Sequence, residues 1–141
     1  MREVKSSQIK DKIKGLFLKA NFYINPDLMQ RLEKALKEES STIGKYVLQM
    51  IIENNKIASR EEAPICQDTG LAVVFIDVGQ EVYSVGGDFA KAINQGVKEA
   101  YKEGYLRKSV VDDPVFERKN TKTNTPAIVY TDIVPGDKIN F

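Results

Sequence analysis

Histidine is absent from these 141 residues, cysteine occurs once, and charge of either sign is not in excess. Without histidine the chain has neither the commonest general base nor the commonest metal ligand. Every Cys–His or Ser–His nucleophile pair made within the chain is excluded as well. One cysteine permits no internal disulfide, in keeping with a reducing compartment. A net charge of +1 with 29% charged residues leaves no electrostatic footprint for nucleic acid or a membrane surface, so neither is an expected partner. No apolar run reaches the roughly 18–20 residues that cross a bilayer. Met1-Arg2-Glu3-Val4-Lys5 lacks the apolar core of a signal peptide, and the expected location is the cytoplasm.

What is present suffices for one domain. At 42% hydrophobic, residues 1–141 can build a single core and are too few for two. The first third reads as three helices. Ile9, Ile13, Leu16, Phe17 and Ala20 follow helical spacing after Ser6-Ser7. Asn25-Pro26-Asp27 supplies a cap, a proline at the first helical position and an acid at the positive helix end, with Leu28, Leu32, Ala35 and Leu36 as the expected buried stripe. Ser40-Ser41-Thr42 opens a third helix whose expected buried face is Ile43, Val47, Met50 and Ile51. Ile57 to Glu62 reads as a polar tail.

The period then changes. Leu71 to Ile76 is a continuous apolar, β-branched run of the kind buried on both faces. Gly79-Gln80 turns it toward a strand around Val82 to Val85. Gly86-Gly87-Asp88 has neither the lysine of a phosphate loop nor the third glycine of a dinucleotide fold, and reads as a helix cap. Phe89, Ala92, Ile93, Val97, Ala100 and Tyr101 form a helix that Gly104 terminates. Residues 105 to 125 are polar and irregular. Thr125 to Val134 is a strand, Pro135-Gly136-Asp137 a tight turn, and Lys138 to Phe141 the start of a return strand. The expected class is α+β: a helical layer, then a mostly antiparallel or mixed sheet with one further helix. The chain is expected to be truncated within a hairpin.

Three polar clusters are candidates for chemistry. Pro64-Ile65-Cys66-Gln67-Asp68-Thr69-Gly70 places the lone thiol beside an amide, a carboxylate and a hydroxyl. A lone cysteine is most often a small buried hydrophobe, and one thiolate cannot alone hold a zinc or an iron–sulfur cluster. Tyr105-Leu106-Arg107-Lys108-Ser109 follows a helix end, and Arg107 offers the planar fork that grips a carboxylate. Arg118 to Pro126 is rich in donors that suit an anion, or an exposed loop. Gln67, Asp68 and Thr69 also suit a simple turn with Asp68 bonding its own backbone.

Together and in this order, the clusters resemble one family. Pro-Ile-Cys-Gln-Asp-Thr-Gly (64–70), Gly-Tyr-Leu-Arg-Lys-Ser (104–109), Arg-Lys-Asn-Thr-Lys-Thr-Asn-Thr-Pro-Ala (118–127) and Ile-Val-Pro-Gly-Asp-Lys (133–138) are similar to the N-terminal part of class I fumarase and the L-tartrate dehydratase α subunit. The resemblance covers essentially the whole chain. It implies an iron–sulfur hydro-lyase acting on fumarate, malate or tartrate, with Cys66 as one of three cysteine ligands to a 4Fe–4S cluster. It implies further that Gln67, Asp68 and Arg107 contact the substrate. The two other cluster cysteines and a catalytic histidine are implied to lie beyond Phe141, and the proton-abstracting base in a β subunit or C-terminal domain. The implied assembly is a homodimer or heterotetramer, and the fragment alone is expected to be inactive. The family often carries Gly-Asp or Gly-Thr where this chain has Lys122-Thr123. The competing reading is a non-catalytic binding or assembly domain with Cys66 buried and the basic loop at a subunit contact. A zinc enzyme is a distant third.

Overall fold

The computed structural model describes residues 1–66 and 70–141. They form two compact units, Met1–Phe17 with Thr69–Phe141, and Leu18–Asp68. In chain order the elements are β1 (Arg2–Lys5), α1 (Ser6–Phe22), α2 (Pro26–Glu38), α3 (Thr42–Glu61), β2 (Val73–Gly79), β3 (Val82–Val85), α4 (Phe89–Glu103), β4 (Ile128–Val134) and β5 (Ile139–Asn140). The α+β class with a mixed sheet is as expected.

Helix starts follow local chemistry. The Asn25 side chain accepts from the Asp27 N–H at 2.9 Å, with Pro26 where its missing N–H costs nothing. The Ser41 hydroxyl accepts from the Gly44 N–H at 3.3 Å, and the Asp88 carboxylate from the Lys91 N–H at 2.7 Å. Each bond satisfies a donor that the helix itself leaves open. Gly104 caps the end of α4, its N–H donating to the Ala100 carbonyl at 2.8 Å.

Unit Leu18–Asp68 departs from expectation in two ways. Ile57 to Glu61 is not a tail but the last turn of α3, which ends at Glu62 in the left-handed conformation. The reason is the face formed by Ile52, Asn55 and Ala58, which is buried and carries the helix a turn further. The anticipated stripes are not fully covered: none of α2 is buried, with Leu32 and Leu36 half-buried, and Ile43 (77% exposed), Val47, Met50 and Ile51 of α3 are exposed. Helical periodicity identifies which side chains share a face. It carries no information on whether the chain itself supplies the covering layer.

In the other unit the core is Ile9 and Ile13 of α1, Val74 and Ile76 of β2, and Ile93, Val97 and Ala100 of α4. Burying each large aliphatic side chain contributes roughly 1.5–3 kcal/mol. α1 and α4 pass so closely that a Cβ on Gly96 would stand 2.5 Å from the Lys10 carbonyl oxygen. Ion pairs Lys10–Glu99 and Lys14–Glu103 line the same crossing, and the Phe17 and Tyr101 rings meet with centroids 6.2 Å apart.

β2 is the centre of a three-stranded sheet of order β4-β2-β5. It pairs parallel with β4 from Val73↔Ile128 to Gly79↔Val134. β1 and β3 make a separate parallel pair, Arg2↔Val82 to Lys5↔Val85. The strand anticipated from Thr125 begins only at Ile128. The strand expected to be buried on both faces is covered on one: Val74 and Ile76 are buried, whereas Phe75 is 68% exposed and stacks on Tyr130 of β4, centroids 5.2 Å apart.

The expected hairpin return is also different. β5 pairs antiparallel with β2, Asp77↔Asn140 and Val78↔Ile139, not with β4. Residues 134–138 instead wrap the end of β2, with the Gln80 N–H donating to Val134 O and the Glu81 N–H to Gly136 O. Gly79 makes this possible, since any Cβ there would collide with the Gly136 carbonyl.

Candidate functional site

Cys66 is exposed, so the reading that makes it a buried structural cysteine does not hold. Its N–H donates to Asn54 Oδ1 at 3.0 Å, and the preceding Ile65 N–H donates to the Asn21 carbonyl at 2.9 Å. These bonds hold the segment against the flank of α3. The thiol lies at an open recess of about 360 Å³ whose other walls are Val47, Met50, Ile51, Asn54 and Asn55. Asn55 is buried, donates to the Ile51 carbonyl at 2.8 Å, and leaves its Oδ1 without a partner among the described residues. Gln67 and Asp68, the other candidates of the heptad, lie outside the described residues. Among the described residues no group of three or more His, Cys, Asp or Glu could hold a metal ion.

Arg107 belongs to the other unit and is exposed. Among the described residues it forms no ion pair. Its neighbours fix where it stands. α4 stops at Gly104, Tyr105 adopts φ 53°, and the Leu106 N–H returns to the Tyr101 carbonyl at 3.2 Å. Leu106 and Val110 are both buried. Residues 107–109 therefore form an arch between two apolar anchors, with Arg107 exposed on it.

The donor-rich segment 118–127 does something the sequence reading missed. Its backbone folds back on the arch: the Thr121 N–H donates to Val110 O at 2.9 Å, the Asp112 N–H to Lys119 O at 2.9 Å, and Asn120 Nδ2 to Lys108 O at 3.1 Å. Asp113 closes the tip, accepting from the Val115 and Phe116 N–H groups. Those backbone donors, the Phe116 N–H above all, hold its carboxyl below the usual carboxylate range. Both asparagines of the segment bond backbone groups.

Asn124 is the centre of this arrangement and is 0% exposed. Its Oδ1 accepts from the Ser109 N–H at 2.7 Å and the Val110 N–H at 3.1 Å. Its Nδ2 donates to the carbonyl of Gly70, the last residue of the cysteine heptad, at 3.4 Å. The side chain also hydrogen-bonds the Tyr101 phenol, opposing the burial that pushes that phenol's pKa up. An asparagine amide has two acceptor and two donor positions, and both acceptor positions here are taken by backbone N–H groups. Asn124 lies at φ 57°, a region that asparagine tolerates better than most residues. That tolerance, in a Thr-Asn-Thr-Pro context, is the only sequence signal that could have marked it. Lys122, at φ 60°, stands where the resembling family often carries glycine, the residue that this backbone favours.

Comparison with known proteins agrees with the motifs. The family model described as Fumarate hydratase (Fumerase) matches residues 10–141. The putative L(+)-tartrate dehydratase subunit alpha of Methanocaldococcus jannaschii is 42% identical over 118 residues, covering 83% of this chain and 41% of that protein. The aerobic class I fumarate hydratase of Escherichia coli is 36% identical over 127 residues, 89% of this chain and 23% of the relative. An Escherichia coli L(+)-tartrate dehydratase subunit alpha is 32% identical over 114 residues, 79% of this chain and 37% of the relative. The chain thus spans well under half the length of each of these proteins.

Proposed function

The chain belongs to the fumarate hydratase family, and from that premise we propose that it is the N-terminal part of a 4Fe–4S-dependent hydro-lyase. The substrate is a small dicarboxylate, fumarate and malate or tartrate, and the reaction is the addition or removal of water. The observation that carries this reading is the exposed Arg107, on an arch whose end Asn124 holds and ties to the Gly70 carbonyl, within the family match over residues 10–141. A flexible surface arginine needs no such scaffold, whereas a guanidinium that must meet a carboxylate with both N–H groups does.

Cys66 fits the role of one cluster ligand: its thiol is exposed at an open recess, and a thiolate is the donor such clusters take. When bound, a cluster with one iron free of cysteine supplies a Lewis acid for the substrate hydroxyl. Arg107 binds one substrate carboxylate. Gln67 and Asp68 orient the substrate beside the cysteine. Water is lost when hydroxide leaves one carbon and a proton is taken from its neighbour, and the acid and base are supplied by the β subunit or C-terminal domain. With one thiol and no histidine, this chain by itself carries no activity. The assembly is a homodimer or heterotetramer, in the reducing setting of the cytoplasm.

The test is the full-length protein, with its partner subunit or domain, reconstituted anaerobically with iron and sulfide. Cys66→Ser should lose both the cluster absorbance and hydration of fumarate or dehydration of tartrate. A normal cluster with retained activity in that variant overturns the assignment.

A further inference from the structure

We infer that Asn124 is a positioning residue for substrate binding, acting through Arg107: its Oδ1 holds the Ser109–Val110 end of the arch that carries the guanidinium. The inference rests on the reading of Arg107 as the substrate grip and adds the group that sets the grip's geometry.

The distances carry it. Ser109 and Val110 are the two residues that end the arch, and both of their N–H groups terminate on Asn124 Oδ1 at 2.7 and 3.1 Å. The opposite side of the same amide reaches the Gly70 carbonyl, 54 residues away in sequence. Arg107 is thus two residues before Ser109, whose N–H bonds the amide that also reaches the Gly70 carbonyl. At the other end of the arch Leu106 is anchored by burial and by its bond to Tyr101 O. At this end the Asn124 bonds hold the Ser109 and Val110 N–H groups, alongside the burial of Val110, the Thr121 N–H bond to Val110 O and the Asn120 bond to Lys108 O. Bidentate recognition of a carboxylate demands both the distance and the plane of the guanidinium, and a displacement of about 1 Å is enough to lower productive binding on the order of 100-fold. Asn124 itself is fully buried and meets no solvent, so it orients the binding group without touching substrate.

The amide also makes its two roles separable by mutation. Asn124→Gly suits the φ of 57° and removes both sets of bonds. Asn124→Asp keeps an acceptor for the Ser109 and Val110 N–H groups and gives up the donor toward Gly70.

The experiment uses the cluster-loaded, full-length enzyme with its partner subunit or domain, and fumarate and tartrate as probes. N124G is expected to raise KM about tenfold with kcat changed less than about threefold, the signature of lost uniform binding rather than lost chemistry. N124D is expected to stay within about threefold of the parent KM. Amide exchange at Ser109 and Val110 should accelerate in N124G and remain slow in N124D. In an Arg107→Ala background N124G should add less than about twofold, because the two residues act in one chain of contacts. Full multiplicative effects of the pair, or an unchanged KM in N124G, overturn the inference. Should N124G not assemble, N124D decides: a parental KM with slow exchange supports the inference, and a KM raised about tenfold with the arch bonds intact overturns it. If instead Arg107→Ala leaves KM unchanged, the substrate-grip reading itself falls, and that outcome is distinct from a failure of Asn124 alone.

Discussion

Glycine-to-alanine substitution at Gly96 reverses its ordinary sign. In an exposed helix interior alanine is better than glycine by about 1 kcal/mol, and propensity alone therefore predicts a more stable protein. At Gly96 the added methyl would stand 2.5 Å from the Lys10 carbonyl oxygen and 3.0 Å from both Cβ and Cγ2 of Ile13. The first neighbour is helix backbone and cannot rotate away, so α1 and α4 must part by several tenths of an ångström. Ile13, Ile93 and Val97, all essentially inaccessible, sit in that contact, and a gap of about 0.5–1 Å forfeits a quarter to a half of each dispersion well. Overpacking of this kind costs about 1–3 kcal/mol, and the backbone clash puts this case at the upper end. Less the propensity gain, Gly96→Ala should destabilise by about 2 kcal/mol. Gly15 on α1 is the control, with nothing within 4 Å of its added Cβ; there the same change should stabilise by about 1 kcal/mol. Urea denaturation followed by circular dichroism reads both, and amide exchange should locate the G96A loss in α1 and α4. Shifts of the same sign at the two sites would refute the reasoning.

Lys122 sits at φ 60°, where a Cβ costs about 1–2 kcal/mol while glycine loses about 0.5–1 kcal/mol more on ordering. Lys122→Gly should therefore be neutral to stabilising by about 0.5–1 kcal/mol, and Lys122→Val, β-branched, clearly destabilising in the same denaturation assay. A destabilising K122G would show that the lysine side chain holds the loop. Glu99 accepts from Gln95 Nε2 at 2.9 Å and faces Lys10 at 3.3 Å, and these partners, Gln95 first, hold its carboxyl below the ordinary glutamate value. A depressed folded-state pKa gives stability that is full above the unfolded value of about 4.3 and is lost as pH falls through the folded one. The advantage of the parent over Glu99→Gln should accordingly be constant near neutrality and close progressively below that pH. Urea midpoints across the acid range check it, and a gap independent of pH refutes it.

The family was legible in the residues because its signature is written in short contiguous motifs. Cys66 and Arg107 are candidates by residue type and setting, and the order of the motifs points to the family that the comparisons identify. Asn124 was not legible. Its side chain bonds groups 14, 15 and 54 residues away, and its Thr-Asn-Thr-Pro context gives no indication of those partners. Burial was misread wherever a face is apolar without being covered: Met50 on α3 and Phe75 on β2 have the pattern of core positions and stand exposed.

The sequence by itself determined where the helices begin and where α4 ends. Caps at Asn25, Ser41, Asp88 and Gly104 act over three or four residues, a range within which side-chain chemistry alone decides the backbone. Tertiary structure decided the partners of the strands and of the buried amide. β1 pairs with β3 across some 80 residues, and β5 joins β2 because Gly79 lets the 134–138 segment pass. Such pairings are selected by the packing of the whole unit, since a strand's edges offer the same donors and acceptors to any neighbour. The close of the arch on Asn124 belongs to the same class, because a buried N–H must find an acceptor and only the folded chain determines which one is near.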